Sequence, residues 1–105
     1  MIKATFDHGR WCITVDGHAG GEINGQGHDL ICCAASTLME AFLYTASKHG
    51  YMMDHEASDG YMQVGITRGQ TQLTTELVAL FRFVQDGLQM LAEAYPDCIC
   101  IEWIW

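Results

Sequence analysis

Between Asp29 and Gly50 apolar residues recur at intervals of three and four: Leu30, Ile31, Ala34, Ala35, Leu38, Met39, Phe42, Leu43 and Ala46. That spacing lines them along one wide stripe of an α-helix. A stripe this wide has to be buried, so the rest of the chain must supply a matching apolar face. Asp29 stands where an N-cap would, its carboxylate able to accept from an unpaired first-turn amide. Lys48-His49-Gly50 closes the segment with positive side chains and a glycine stop. The pattern predicts a helix over 30–48.

The flanking segments alternate with a period of two. Residues 2–6 and 11–15, with Asp7-His8-Gly9 between them as a tight turn, predict an opening hairpin. Residues 51–57 and 60–67 read as a second hairpin, because Asp59-Gly60 supplies the backbone angles of a short turn. A second helical stripe, with Leu73, Leu77, Leu80, Val84, Leu88, Leu91 and Tyr95, runs over 71–95. Gly87 is its one break, and Pro96 forbids continuation. Residues 98–105, C-I-C-I-E-W-I-W, form a last strand with Ile99, Ile101, Trp103 and Trp105 on one face and Cys98, Cys100, Glu102 and Ile104 on the other. So apolar a strand must be paired and covered, inside a sheet or by a second subunit. The order is β-β-α-β-β-α-β, and the expected fold class is α+β, a two-layer sandwich of a mainly antiparallel sheet with two helices on one face.

A chain of 105 residues, half of them apolar, fits one domain that buries roughly 60–70% of its unfolded surface. Its net charge of −8 offers no basic patch for phosphates and argues against direct nucleic-acid binding. The surplus suits a basic partner, or simply a soluble acidic surface. The first residues alternate and carry charge early, unlike a secretory signal or a membrane span, so a cytoplasmic location is expected. There the five cysteines would be thiols.

Candidate chemistry gathers between His18 and Ser36. His18 ends the first hairpin, a loop over 19–28 follows with Gly20, Gly21, Gly25 and Gly27, and Cys32 and Cys33 stand in the expected first helical turn. A thiol there is favoured as thiolate by unpaired amides and the helix dipole, and a histidine brought back across the loop can take its proton. The amides of Cys33 and Ala34 could hold an oxyanion. At 100° per residue Cys32 borders the apolar stripe next to Ser36, while Cys33 points away with Thr37 and Glu40. Cys32 is therefore favoured as nucleophile, with Cys33 as second candidate. The plainer alternatives are a cysteine acting as a small core hydrophobe, Asp29 as a cap only, and His18 as a turn residue. Cys98 and Cys100 could join His49 or His55 around zinc, but no C-x-x-C or H-x-x-x-H spacing supports it, so no metal or other cofactor is expected. A Cys32–Cys33 redox pair would close a strained ring.

Gly17-His18-Ala19 and Asp29-Leu30-Ile31-Cys32-Cys33-Ala34-Ala35-Ser36 resemble the two signatures of the ribosomal-processing cysteine protease family, the YsxB-like proteins. The family pattern is G-H-A, a short glycine-containing loop, then D-I-V-C-A-A-x-S, and the order of elements agrees over nearly the whole chain. The resemblance implies a homodimeric endopeptidase with a Cys/His dyad. In Gram-positive bacteria such an enzyme removes an N-terminal extension from large-subunit ribosomal protein twenty-seven, cutting after phenylalanine. It places the catalytic histidine on His18, the catalytic cysteine on Cys32, and the motif aspartate and serine on Asp29 and Ser36. The glycine loop then becomes the segment that orders on substrate. Two departures stand out: Cys33 replaces a usual alanine, and the loop is slightly longer. The contrasting expectation is a ribosome-assembly module that holds a ribosomal protein without cutting it.

Overall fold

The computed structural model describes residues 1–17, 26–67 and 73–104, the side chains of 26–29 excepted. Its elements are β1 (Ile2–Asp7), β2 (Cys12–Asp16), α1 (Gln26–Lys48), β3 (Met53–Ser58), β4 (Tyr61–Ile66), α2 (Thr75–Ala94) and β5 (Ile99–Ile104). The five strands form one sheet in the order β3-β4-β2-β1-β5, antiparallel except where β5 runs parallel to β1. This is the expected α+β class, with the open sheet mixed through that one parallel pair.

The register explains the two layers. Ala4 pairs with Val15 and Ile101, Phe6 with Ile13 and Trp103, and Ile13 with Val64, so one set of side chains from four strands forms an apolar face. Onto that face α1 sets Ile31, Ala35, Met39, Phe42 and Ala46, and α2 sets Leu77, Phe81, Val84 and Leu88, all buried. Lys3, Thr5, Thr14 and Glu102 lie on the opposite face, none of them buried. Residues 30–48 are apolar and long enough to cross a membrane by length and composition alone, yet here their stripe is buried against the sheet. Helix α1 lies over the β4 side and α2 over β5, and the two helices pack on each other. At their contact a Cβ on Gly87 would stand 2.9 Å from Leu38 Cδ2, so the break in the second stripe makes room for the Leu38 side chain of α1.

Several boundaries differ from the sequence reading, each for a local reason. Helix α1 begins at Gln26, so Asp29 is its fourth residue and not its cap. Gly27 costs about 1 kcal/mol relative to alanine within a helix, but extending a formed helix is far easier than nucleating one. Helix α2 begins at Thr75 behind an N-cap at Thr74, whose hydroxyl accepts from the Leu77 amide at 3.1 Å, and Leu73 is exposed outside it. Strand β2 starts at Cys12 because Trp11 sits at φ 50°, in the left-handed region that closes the first turn. Asp7 Oδ1 holds that turn by accepting from the amides of Gly9 and Arg10. Cys98 is buried in the core ahead of β5, whereas Cys100 follows Ile99 onto the other face, so these two cysteines do not share a side. Strand β5 is an edge of the sheet, paired on one side only among the described residues.

Candidate active site

Helix α1 lies over β4 and covers β3 only in part, with Met53 packed against the core and Ala57 beyond the helix's reach. Ala57 pairs with Met62, and Met62 with Val15, so Ala57 shares the helix-facing side of the sheet; it is nonetheless exposed. A shelf therefore remains beside the helix, floored by the β3–β4 hairpin. On it lies a groove of about 330 Å³ into which α1 presents Cys32, Ser36 and Glu40. Those three residues are spaced by four along one flank of the buried stripe, which is why a single helix face both anchors the fold and lines the groove.

The two candidate cysteines separate as their helical angles expect. Cys32 is half-buried and lines the groove, whereas Cys33 is exposed, faces away from it, and has its carbonyl accept from the Thr37 hydroxyl at 2.7 Å. Among the described residues no disulfide involves any of the five cysteines. Ser36 lines the groove one turn beyond Cys32. Ala34 is half-buried and does not line it.

The start of α1 at Gln26 alters the first-turn argument. Cys32 is the seventh residue of the helix and lies in its second turn, beyond the reach at which a helix terminus acts strongly. The amides of Cys33 and Ala34 fall within the i to i−4 ladder, paired with the carbonyls of Asp29 and Leu30, and are not available to an oxyanion in this conformation. Any oxyanion donor must come from elsewhere.

The opposite wall of the groove explains the glycine of the G-H-A signature. Gly17 ends β2 with φ 105°, its amide donates to the Gly60 carbonyl at 2.7 Å, and a Cβ built on it would stand 2.5 Å from the Met1 carbonyl oxygen. Only glycine fits that backbone. Gly17 lines the same groove as Cys32 and Ser36, so the residue immediately before His18 is fixed there. His18 itself, with Gly20, Gly21 and Gly25, lies outside the described residues, as do the surroundings of Gly27 and the side chain of Asp29.

Carboxylates border the groove at Glu40 on α1 and Asp59 in the β3–β4 turn, both exposed. Elsewhere, burial pushes the Cys12 thiol above its ordinary range, partly opposed by hydrogen bonds with Gln63 and Thr14. That thiol is on the sheet's other side and is unsuited to attack. Among the described residues no group of three or more His, Cys, Asp or Glu side chains is placed to hold a metal ion.

Comparison with known proteins bears on this geometry. The family model described as "Cysteine protease Prp" matches residues 1–100. Among solved structures, SMU.848 from Streptococcus mutans superposes with a TM-score of 0.79 at 25% identity, covering 99% of this chain and 94% of that one. The essential ribosomal processing protease Prp from S. aureus, solved with a covalently linked product peptide, gives 0.74 at 21% identity, covering 97% and 96%. The same protease with a substrate peptide gives 0.75 at 18% identity, with the same coverage. At those identities the S. aureus structures establish likeness of fold. No curated protein matches this chain.

Proposed function

This chain belongs to the cysteine protease Prp family, and from that premise we propose that it is an endopeptidase using a dyad of Cys32 and His18 to remove the N-terminal extension of large-subunit ribosomal protein twenty-seven. One observation carries the reading: Cys32 and the residue that precedes His18 line one groove, although fourteen positions separate the two dyad members in sequence. The groove is open along the helix, as an extended peptide requires.

In this reading His18 takes the proton from the Cys32 sulfur, and the thiolate attacks the scissile carbonyl to form a tetrahedral oxyanion. Collapse expels the amine, which accepts the proton from the imidazolium, and leaves a thioester on Cys32. Water activated by His18 then releases the new carboxylate and restores the thiol. Ser36, one turn along on the same flank, supports the bound peptide, and the glycine-containing segment over 19–25 closes over it. Cys33 takes no part in the chemistry.

The acid surplus suits a basic substrate, with Glu40 and Asp59 beside the groove where positive side chains would pass. The enzyme acts in the cytoplasm as a homodimer, on a protein and not on nucleic acid.

Incubating the purified protein with its host's ribosomal protein and weighing the product by mass spectrometry tests the proposal. Loss of a short N-terminal peptide is expected, with cleavage lowered at least ~10³-fold by Cys32→Ala or His18→Ala and retained in Cys33→Ala. Full activity of the Cys32 variant would remove Cys32 as the nucleophile, and tight binding with no cleavage by the unaltered protein would replace this reading with that of a holding module.

A further inference from the structure

The groove does not end at Glu40. A second, shallower trough continues along α1 over Leu43, Tyr44, Ser47 and Lys48, and it shares both Glu40 and Met62 with the groove beside Cys32. The two are one channel, with Met62 of β4 as its continuous floor. Their linings differ: beside Cys32 small and polar residues predominate, whereas beyond Glu40 the surface is mostly apolar. Tyr44 is 69% exposed there, its ring 6.0 Å from the Lys48 ammonium. An exposed aromatic ring beside Leu43 and Met62 is a surface that gains by being covered.

Resting on the protease reading above, we propose that the apolar stretch formed by Leu43, Tyr44 and Met62 is a distal subsite taking an apolar side chain of the same peptide that Cys32 cuts. Its distance from the scissile bond follows from the helix. Leu43 and Tyr44 lie eleven and twelve residues beyond Cys32, about 16–18 Å at ~1.5 Å per residue. An extended peptide advances roughly 3.3 Å per residue, so the side chain it receives lies about five residues from the cleaved bond. The occupant is the substrate itself, because the trough is continuous with the groove that holds the reacting bond. Such a contact contributes to binding the peptide and leaves the chemical step untouched.

The experiment uses a peptide spanning the cleavage region of the host's ribosomal protein and a second one shortened to three residues on either side of the bond. Serine replaces each apolar residue of the long peptide in turn. The expected result is one position, four to seven residues from the bond, at which serine raises KM about tenfold with kcat unchanged. Tyr44→Ser, at an exposed site where folding is not at stake, should raise KM for the long peptide and not for the short one. Fluorescence anisotropy with the Cys32→Ala variant gives the same comparison as binding, independent of turnover. Tighter binding of the long peptide, lost with Tyr44→Ser, supports the subsite even if no peptide is cut, in which case the protease reading alone falls. Cleavage with equal KM for long and short peptides, or a long-peptide affinity unmoved by Tyr44→Ser, overturns it.

Discussion

The two ends of the sheet are finished in opposite ways. At the β1–β5 end the aromatic rings interlock: Trp103 stacks on His8 at 5.6 Å and meets Phe6 edge-on at 5.0 Å, while Phe81 of α2 meets Trp11 at 5.1 Å and Phe42 of α1 at 6.0 Å. His8 Nε2 adds a hydrogen bond with Gln85 at 3.0 Å. At the β3–β4 end the helix-facing side of β3 packs Met53 against the core but leaves His55 and Ala57 exposed, and Met62 and Tyr44 are only partly covered. Aromatic pairs of that kind add about 0.5–1.5 kcal/mol each beyond the area they bury. The contrast teaches that the chain concentrates its aromatic packing at the end of the sheet away from Cys32, and so can leave an uncovered shelf beside that residue.

If that division holds, stability and activity should respond to different ends of the molecule. Phe81→Ala should cost the most, about 3–5 kcal/mol in a urea melt, because a fully buried ring shared by both helices is lost. Met62→Ala at the open end should cost less than half as much, and its effect should show in peptide KM; equal destabilisation by the two would dissolve the contrast. Gly17→Ala tests the seam between the ends. A side chain at φ 105°, against the Met1 carbonyl, should cost roughly 1–3 kcal/mol and lower kcat by more than the unfolded fraction explains, since it moves the backbone carrying His18. Thr74→Ala removes the cap of α2 and should cost about 1 kcal/mol with peptide cleavage unchanged.

The smallest effect concerns pH. Burial holds the folded Cys12 thiol above its ordinary value near 9.0, so on raising the pH the unfolded chain loses this proton first. The folded state then binds more protons than the unfolded one, and stability falls as pH rises past about 9 until the folded thiol also titrates. Tyr61 is raised too, by burial first and then by the nearby Glu56, and acts in the same direction at higher pH. Urea melts between pH 7 and 10 should show that decline, and Cys12→Ala should flatten its first part.

The features legible in the sequence were those set by neighbours along the chain. Alternation located both hairpins, Asp59-Gly60 located the second turn, and helical spacing put Cys32 at the edge of the stripe with Cys33 outside it. What escaped depended on partners far away in sequence. The start of α1 was obscured because Gly25 and Gly27 read locally as loop, which displaced the first-turn argument for Cys32 and the oxyanion role for Cys33 and Ala34. Phe81 was missed because it lies one residue past Leu80, and only packing against Phe42 and Trp11 shows which of the two is central. The shelf could not be seen at all, since it follows from how far α1 reaches across a sheet whose strand order no local pattern specifies. Gly17 appeared as a motif letter, and its reason is a carbonyl at the other end of β1.

The parallel pairing of β1 with β5 makes folding of this sheet depend on a contact that spans almost all the described residues. The first strand of the sheet in chain order finds one of its two ladder partners only in the fifth, from the Ile2 amide donating to the Cys98 carbonyl through to the His8 amide donating to the Ile104 carbonyl. A chain that stops short of residue 99 lacks that clasp, so the two ends of this sheet's chain order are tied by a ladder that no local hairpin can replace.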